Sequence, residues 1–131
     1  MPKLLVLLNH TLTEEQIIEA KEKLKVTEII EPPIRQKNIW SQMPPDENRH
    51  RLFTEEIINW LESNAEKGDF ILVQGEFGAT FTIVDFCLKN GFVPIYATSE
   101  RKAEEVRNPD GSVEKRIVFK HMGFRKYRYW E

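Results

Sequence analysis

The sequence predicts a three-layer α/β protein: a mostly parallel sheet between helices, finished by a C-terminal β-hairpin. Three observations predict it. The first apolar run, Leu4–Leu8 of "KLLVLLNH", is unbroken, as expected of a parallel strand buried on both faces. Strand-like and helix-like segments then alternate through most of the 131 residues, the pattern of successive β-α-β units. After Ser99 this gives way to two charged, β-rich segments around "NPDG", whose Pro109 and Gly111 suit a tight turn.

The elements follow in order. Behind the first strand, "LTEEQI" pairs Thr13 with Gln16 as a capping box and Leu12 with Ile17 as a hydrophobic staple. Ile17, Ala20 and Leu24 carry an apolar helical stripe to about Lys25. "TEIIE" is a short second strand closed by Pro32 and Pro33, and such crossovers are right-handed. Residues 32–47, "PPIRQKNIWSQMPPDE", read as the longest irregular stretch, a loop bounded by two proline pairs. Asp46 is placed to cap the next helix, whose Phe53, Ile57, Leu61 and Ala65 recur at helical spacing before Gly68 and Asp69 end it. "DFILVQ" is a third strand, "GEFGA" a turn, and the run from Thr80 to Lys89 a helix apolar nearly all round, stopped by Asn90 and Gly91. "FVPIYAT" is the fourth strand. A helix this apolar is expected to be sandwiched between the sheet and another surface, a dimer partner being one candidate. One domain spanning 1–131 is expected at this length.

Composition narrows the function classes. At 40% hydrophobic and 31% charged residues, the chain has the make-up of an ordinary soluble globular protein. The lone Cys87 excludes an internal disulfide framework, and zinc-type Cys/His spacing is absent, so a reducing cytoplasm is expected. Leu4–Leu8 is too short for a membrane span and lacks a signal peptide's cleavage region, so no membrane partner is expected. The net charge of −2 is unevenly spread. Lys115, Arg116, Lys120, Arg125, Lys126 and Arg128 occupy a stretch without acids, interleaved with Phe119, His121, Phe124 and Tyr127. A basic, aromatic end on a near-neutral chain suits a compact anionic ligand better than long duplex DNA. A solvated surface hairpin fits the charge equally well.

In open α/β sheets, ligands bind beyond the carboxyl ends of the strands, near the switch in strand order. The first strand delivers Asn9, His10 and Thr11; the third Gln74, Gly75 and Glu76; the fourth Thr98, Ser99, Glu100 and Arg101. If these strands are neighbours, the three groups share one edge. "QGEFGAT", which continues through Phe77 and Gly78 to Thr80, brings backbone N–H groups and a helix N-terminus to where a phosphate could sit. Glu76 opposes an anion there unless it is turned away or protonated, and a plain tight turn explains the glycines too. The motif is neither a GxGxxG fingerprint nor a Walker loop, so NAD binding and ATP hydrolysis lose support.

His10 suits a proton shuttle, histidine being the residue type that titrates near neutrality, but helix capping or a loop hydrogen bond is equally open. His121 is a candidate ligand contact, and His50, among surface charges, reads as solvated. Cys87 reads as core. Trp40 and Met43 suit either base stacking or packing over the core. No metal-ligand pattern, nucleophile elbow or Cys/His pair is present, so no metal and no cofactor are expected. The remaining chemistry works by positioning and charge stabilisation. A ribose 2′-OH can attack its neighbouring phosphodiester if it is held in line and the developing charge is met by cations. Arg101, Lys102, Lys120 and Arg125 are placed to supply charge, and His10 to transfer the proton.

A series of blocks then becomes informative: "NHTLTEEQ" at 9–16, "IWSQMPPD" at 39–46, "VQGEFGATFTIVDFC" at 73–87, "PIYATSER" at 94–101 and "VFKHMGFRKY" at 118–127. Over most of its length the chain resembles small accessory proteins of type III CRISPR loci, the Csx family numbered twenty. The resemblance implies a Rossmann-like fold similar to the CARF (CRISPR-associated Rossmann) domains that bind cyclic oligoadenylates. It also implies a ring nuclease: a metal-independent homodimer that opens cyclic tetra-adenylate to linear di-adenylate with a 2′,3′-cyclic phosphate, switching off antiviral signalling. Within the matching blocks, His10, Thr98, Arg101 and Lys102 are the candidate catalytic residues. Asn9, Thr11, Gln74, Gly75, Glu76, Phe77, Gly78, Thr80, Ser99, Lys120, His121 and Arg125 are the candidate ligand contacts. A sensor that binds the same ring without cutting it is the nearest alternative. A structural or nucleic-acid-binding subunit using the basic end is a more distant one.

Overall fold

A computed structural model describes residues 1–131. Its elements are β1 (Leu4–Leu7), α1 (Glu14–Glu22), β2 (Ile29–Ile30), α2 (Ile34–Ser41), α3 (Glu47–Asn64), β3 (Phe70–Val73), α4 (Phe77–Lys89), β4 (Val93–Arg107) and β5 (Val113–Lys126). They form one five-stranded sheet in the order β2-β1-β3-β4-β5. The first four strands are parallel, and β5 runs antiparallel to β4. The class read from the sequence therefore stands: α/β, mostly parallel, with a C-terminal antiparallel hairpin. Strand order reverses between β1 and β3, so their carboxyl ends flank the switch point.

Alternation along the central strand builds a core on each side of the sheet. Leu5 and Leu7 point to one face with Ile71 and Val73, where Trp40, Ile57, Leu61, Ile83 and Cys87 of α2, α3 and α4 cover them. Leu4 and Val6 point to the other face with Leu72 and Ile95, where Ala20 of α1 and Val26 beyond it close the layer. No residue of β1 is more than 2% exposed, as its uninterrupted apolar run requires.

Local signals account for the helix boundaries. The Thr13–Gln16 capping box is formed in both directions, with Gln16 N–H donating to Thr13 Oγ1 at 3.2 Å and Thr13 N–H to Gln16 Oε1 at 3.0 Å. Asp46 caps α3 through the Asn48 N–H at 2.9 Å. Three expectations are corrected. The stretch 32–47 is not a bare loop but holds α2, which starts directly after Pro33 and buries Ile39 and Trp40. Pro33 needs no N–H at a helix start, so the proline pair opens a helix rather than only closing a strand. Helix α4 begins at Phe77, before Thr80, because Glu76 caps it. The fourth strand and the first hairpin arm are one continuous 15-residue strand.

Nothing within the chain sandwiches α4. It buries Ala79, Ile83 and Cys87 against the sheet, while Phe77 and Phe81 stand 93% and 77% exposed. No helix is long and apolar enough to cross a membrane.

Burial pushes the Cys87 thiol up to about 12, and its side chain is fully enclosed. The folded protein is therefore expected to leave Ellman's reagent unreacted near pH 8 and to release one thiol per chain in denaturant. Rapid labelling of the native protein would contradict this packing.

Candidate functional site

The loop after β1 carries the first group. Asn9, His10 and Thr11 are exposed and, with Lys37 and Ser41 of α2, line a hollow of about 160 Å³. His10 Nδ1 lies 3.0 Å from the Thr11 carbonyl oxygen. A carbonyl only accepts, so Nδ1 is the donor, and in the neutral tautomer this bond selects, Nε2 is the nitrogen that bears the lone pair. That arrangement equips His10 to take a proton. It also places His10 in a loop hydrogen bond, the alternative open from sequence, and the two roles are compatible.

Strands β4 and β5 supply the second group. Pairing of β4 with β3 stops at Ile95, but its ladder with β5 runs on to Arg107, giving a two-stranded arm of roughly 40 Å at about 3.4 Å per residue. Where the arm passes the N-terminus of α1, Thr13, Glu15, Lys102, Phe119, Lys120 and His121 border a second hollow of about 390 Å³. The loop 9–13 lies between the two hollows. Arg101 pairs in register with Phe119, is exposed, and has no carboxylate within ion-pair distance. Lys102 makes only a loose 3.9 Å contact with Glu100.

The root of this arm is clamped. Met122 is an extra residue in β5, a bulge between the Thr98–Gly123 and Ser99–His121 pairs. Thr98 Oγ1–H donates to the Gly123 carbonyl at 2.6 Å. Glu19 of α1 accepts from His121 Nε2–H at 2.5 Å and from the Phe124 N–H at 2.9 Å. Gly123 has φ +145°, a conformation that strains any residue with a Cβ. His121 thus holds the arm on α1, while Thr98 ties β4 to β5 with its hydroxyl proton already committed. Ser99, exposed beside them, faces solvent.

The turn after β3 is assembled for packing. Ala97 N–H donates to Gln74 Oε1 at 2.8 Å, tying β3 to β4. Trp40 Nε1–H donates to the Gln74 carbonyl at 3.0 Å, and a Cβ on Gly75 would lie 2.7 Å from the indole. Glu76 Oε1 accepts from the Ala79 N–H at 2.8 Å and from His50 Nε2–H at 2.6 Å. The chain's own carboxylate therefore occupies the N-terminus of α4, where the sequence suggested a phosphate. Gly78 sits beside Glu76 and His50, Phe77 faces solvent, and Thr80 Oγ1 is buried without a partner. His50, read as merely solvated, instead hydrogen-bonds the capping carboxylate.

The His50 hydrogen bond, then that from Ala79, holds the Glu76 carboxyl below its ordinary range. A lowered folded-state pKa stabilises the protein above the unfolded-state value, about pH 4.3, and that contribution disappears as pH falls through the folded value. Thermal melts should show wild type above Glu76→Gln at pH 6, with the gap narrowing below about pH 4. A gap independent of pH would show that the cap does not depend on charge.

Arg125, the remaining candidate, lies elsewhere. It pairs in register with Tyr96, and its guanidinium carbon sits 5.8 Å from that ring's centroid. Alternation places the pair on the α3–α4 side of the sheet, since Ile95 and Phe124 pack against the α1 side. The structure thus puts Asn9, His10 and Thr11 in one hollow with Lys37 and Ser41, and Lys102 and Lys120 in another with Thr13, Glu15 and Glu104; Arg101 lines neither. The α4 turn and Arg125 line neither hollow. Sequence reasoning missed Glu19, 102 residues from His121; charge within an amphipathic helix gives no signal of such a partner. Nowhere do three His, Cys, Asp or Glu side chains cluster so as to hold a metal ion.

Fold and site together define a class: an α/β protein whose long, charged β-arm stands beside α1 and the end of the loop at the sheet's switch point. Within that class the chain belongs to the uncharacterized protein MJ1673 family, whose model matches residues 2–125. It is 39% identical over 127 residues to the uncharacterized protein MJ1673 of Methanocaldococcus jannaschii, covering 97% of this chain and 98% of that relative. No solved structure matches it.

Proposed function

We propose that this chain is a CARF-like, Rossmann-like ring nuclease that opens cyclic tetra-adenylate, acting in type III CRISPR signalling as a homodimer. The observation carrying the reading is the placement of His10 on the switch-point loop, whose far end at Thr13 borders a hollow with Lys102 and Lys120 of the arm. The resemblance in residues 9–16, 94–101 and 118–127 falls on these same elements. A two-fold dimer would offer identical groups to both halves of a two-fold symmetric ring.

In the proposed reaction a ribose 2′-oxygen forms a bond to the adjacent phosphorus, and the bond from phosphorus to the 5′-oxygen breaks. His10 Nε2 takes the 2′-OH proton, and the leaving 5′-oxygen takes a proton from water or Lys102. Arg101 and Lys120 face the negative charge that accumulates on the phosphorane oxygens. Two such events give linear di-adenylates, each with a 5′-OH and a 2′,3′-cyclic phosphate. The test is incubation of pure protein with radiolabelled cyclic tetra-adenylate, with and without EDTA, followed by chromatography. Linear product in EDTA is expected. Tight binding with the ring intact would replace the nuclease by the sensor reading, and the absence of both would remove the ligand.

A further inference from the structure

We propose that the cleft where β5 meets the C-terminal segment is a second binding site, taking one base-and-phosphate unit of single-stranded nucleic acid. The open cleft measures about 800 Å³ and is lined by Tyr96, Phe124, Arg125, Lys126, Tyr127 and Arg128. It contains three cations and three aromatic rings but no acid. None of the cations makes an ion pair within the chain. Unneutralised cations beside ring faces match a ligand that is anionic and planar at once, which is the chemistry of a nucleotide.

The surfaces are also held in place. Tyr127 O–H donates to the Val73 carbonyl at 2.7 Å, fixing that ring at the carboxyl end of β3. The Tyr96 ring lies 4.7 Å from it, inclined by 51°. Arg125 Nη1–H donates to the Tyr96 hydroxyl at 3.3 Å, so the guanidinium lies along the same shelf. Rings and guanidinium anchored before the ligand arrives lose little freedom on binding. Tyr129 and Trp130, 54% and 99% exposed, follow directly in the chain and would extend the stacking surface for a longer strand. The cleft shares no lining residue with the His10 hollow and does not rest on the ring-opening reading.

Fluorescence anisotropy with fluorescein-labelled linear tetra-adenylate RNA at low salt tests the proposal. Arg125→Ala with Arg128→Ala is expected to weaken binding at least about tenfold. Lys115→Ala with Arg116→Ala, which removes equal charge from the arm, should change it by less than about twofold. Tyr96→Leu and Arg125→Lys preserve charge but lose stacking, so each should weaken binding by about threefold or more. These single variants carry the test if the first double variant melts early. Equal losses in both double variants would overturn the proposal, as would wild-type binding by both single variants, equal competition by poly-glutamate, or no binding by wild type. Cyclic tetra-adenylate cleavage should be unchanged in Arg128→Ala, so failure of either assay leaves the other interpretable.

Discussion

His10→Ala is expected to slow the opening of cyclic tetra-adenylate by roughly 10²–10⁴-fold, the range of a lost general base, while ring binding changes by less than about twofold. The reason is the direction of its one hydrogen bond. With Nδ1 donating to the Thr11 carbonyl at 3.0 Å, Nε2 is the ring nitrogen left to act as base on the exposed loop that follows β1. Arg101→Ala should add a loss of roughly 10²–10³-fold, because a cation placed for the phosphorane acts on charge present only in the transition state. Arg101→Lys should recover part of it. Single-turnover rates at wild-type level in both alanine variants would remove these side chains from the mechanism.

Trp40→Ala should be the most destabilising single change considered, about 3–5 kcal/mol in urea unfolding, for loss of a fully packed indole and its bond to the Gln74 carbonyl. Gly75→Ala should cost about 1–3 kcal/mol, because the new Cβ would meet the indole at 2.7 Å. The two should not add. With the indole gone, Gly75→Ala has nothing to strike and should become nearly neutral. Additive costs would mean that Gly75 is required for another reason, such as close approach of a ligand to its backbone.

Much of the fold was legible because the decisive signals are local. An unbroken apolar run marked β1, Thr13 and Gln16 marked the start of α1, and Asp46 marked that of α3. Helix α2 was not legible: two prolines precede it, and only Ile39 and Trp40 enter the core. The continuity of β4 was hidden by a change from apolar to charged residues at Ser99, a few residues after the strand parts from β3 at Ile95 while keeping its partner β5.

The candidate site divides in the same way. His10 does follow the end of β1, as strand order suggested, but Arg101 lies inside β4, which runs on to Arg107. The turn from Gln74 to Thr80 looked like a phosphate cradle because glycines before a helix serve either a ligand or a crowded neighbour. Only three-dimensional structure reveals the indole of Trp40 against Gly75 and the imidazole of His50 on Glu76. Likewise, Glu19 and Tyr127 act on residues far along the chain, His121 and Val73, and no spacing rule reports that.

The most direct test of the central claim compares cyclic tetra-adenylate with its 2′-deoxy analogue, side by side in EDTA. The account predicts that both rings bind, the ribose ring opens to products ending in 2′,3′-cyclic phosphate, and the deoxy ring stays closed. An intact ribose ring, or a deoxy ring opened at a similar rate, would contradict it.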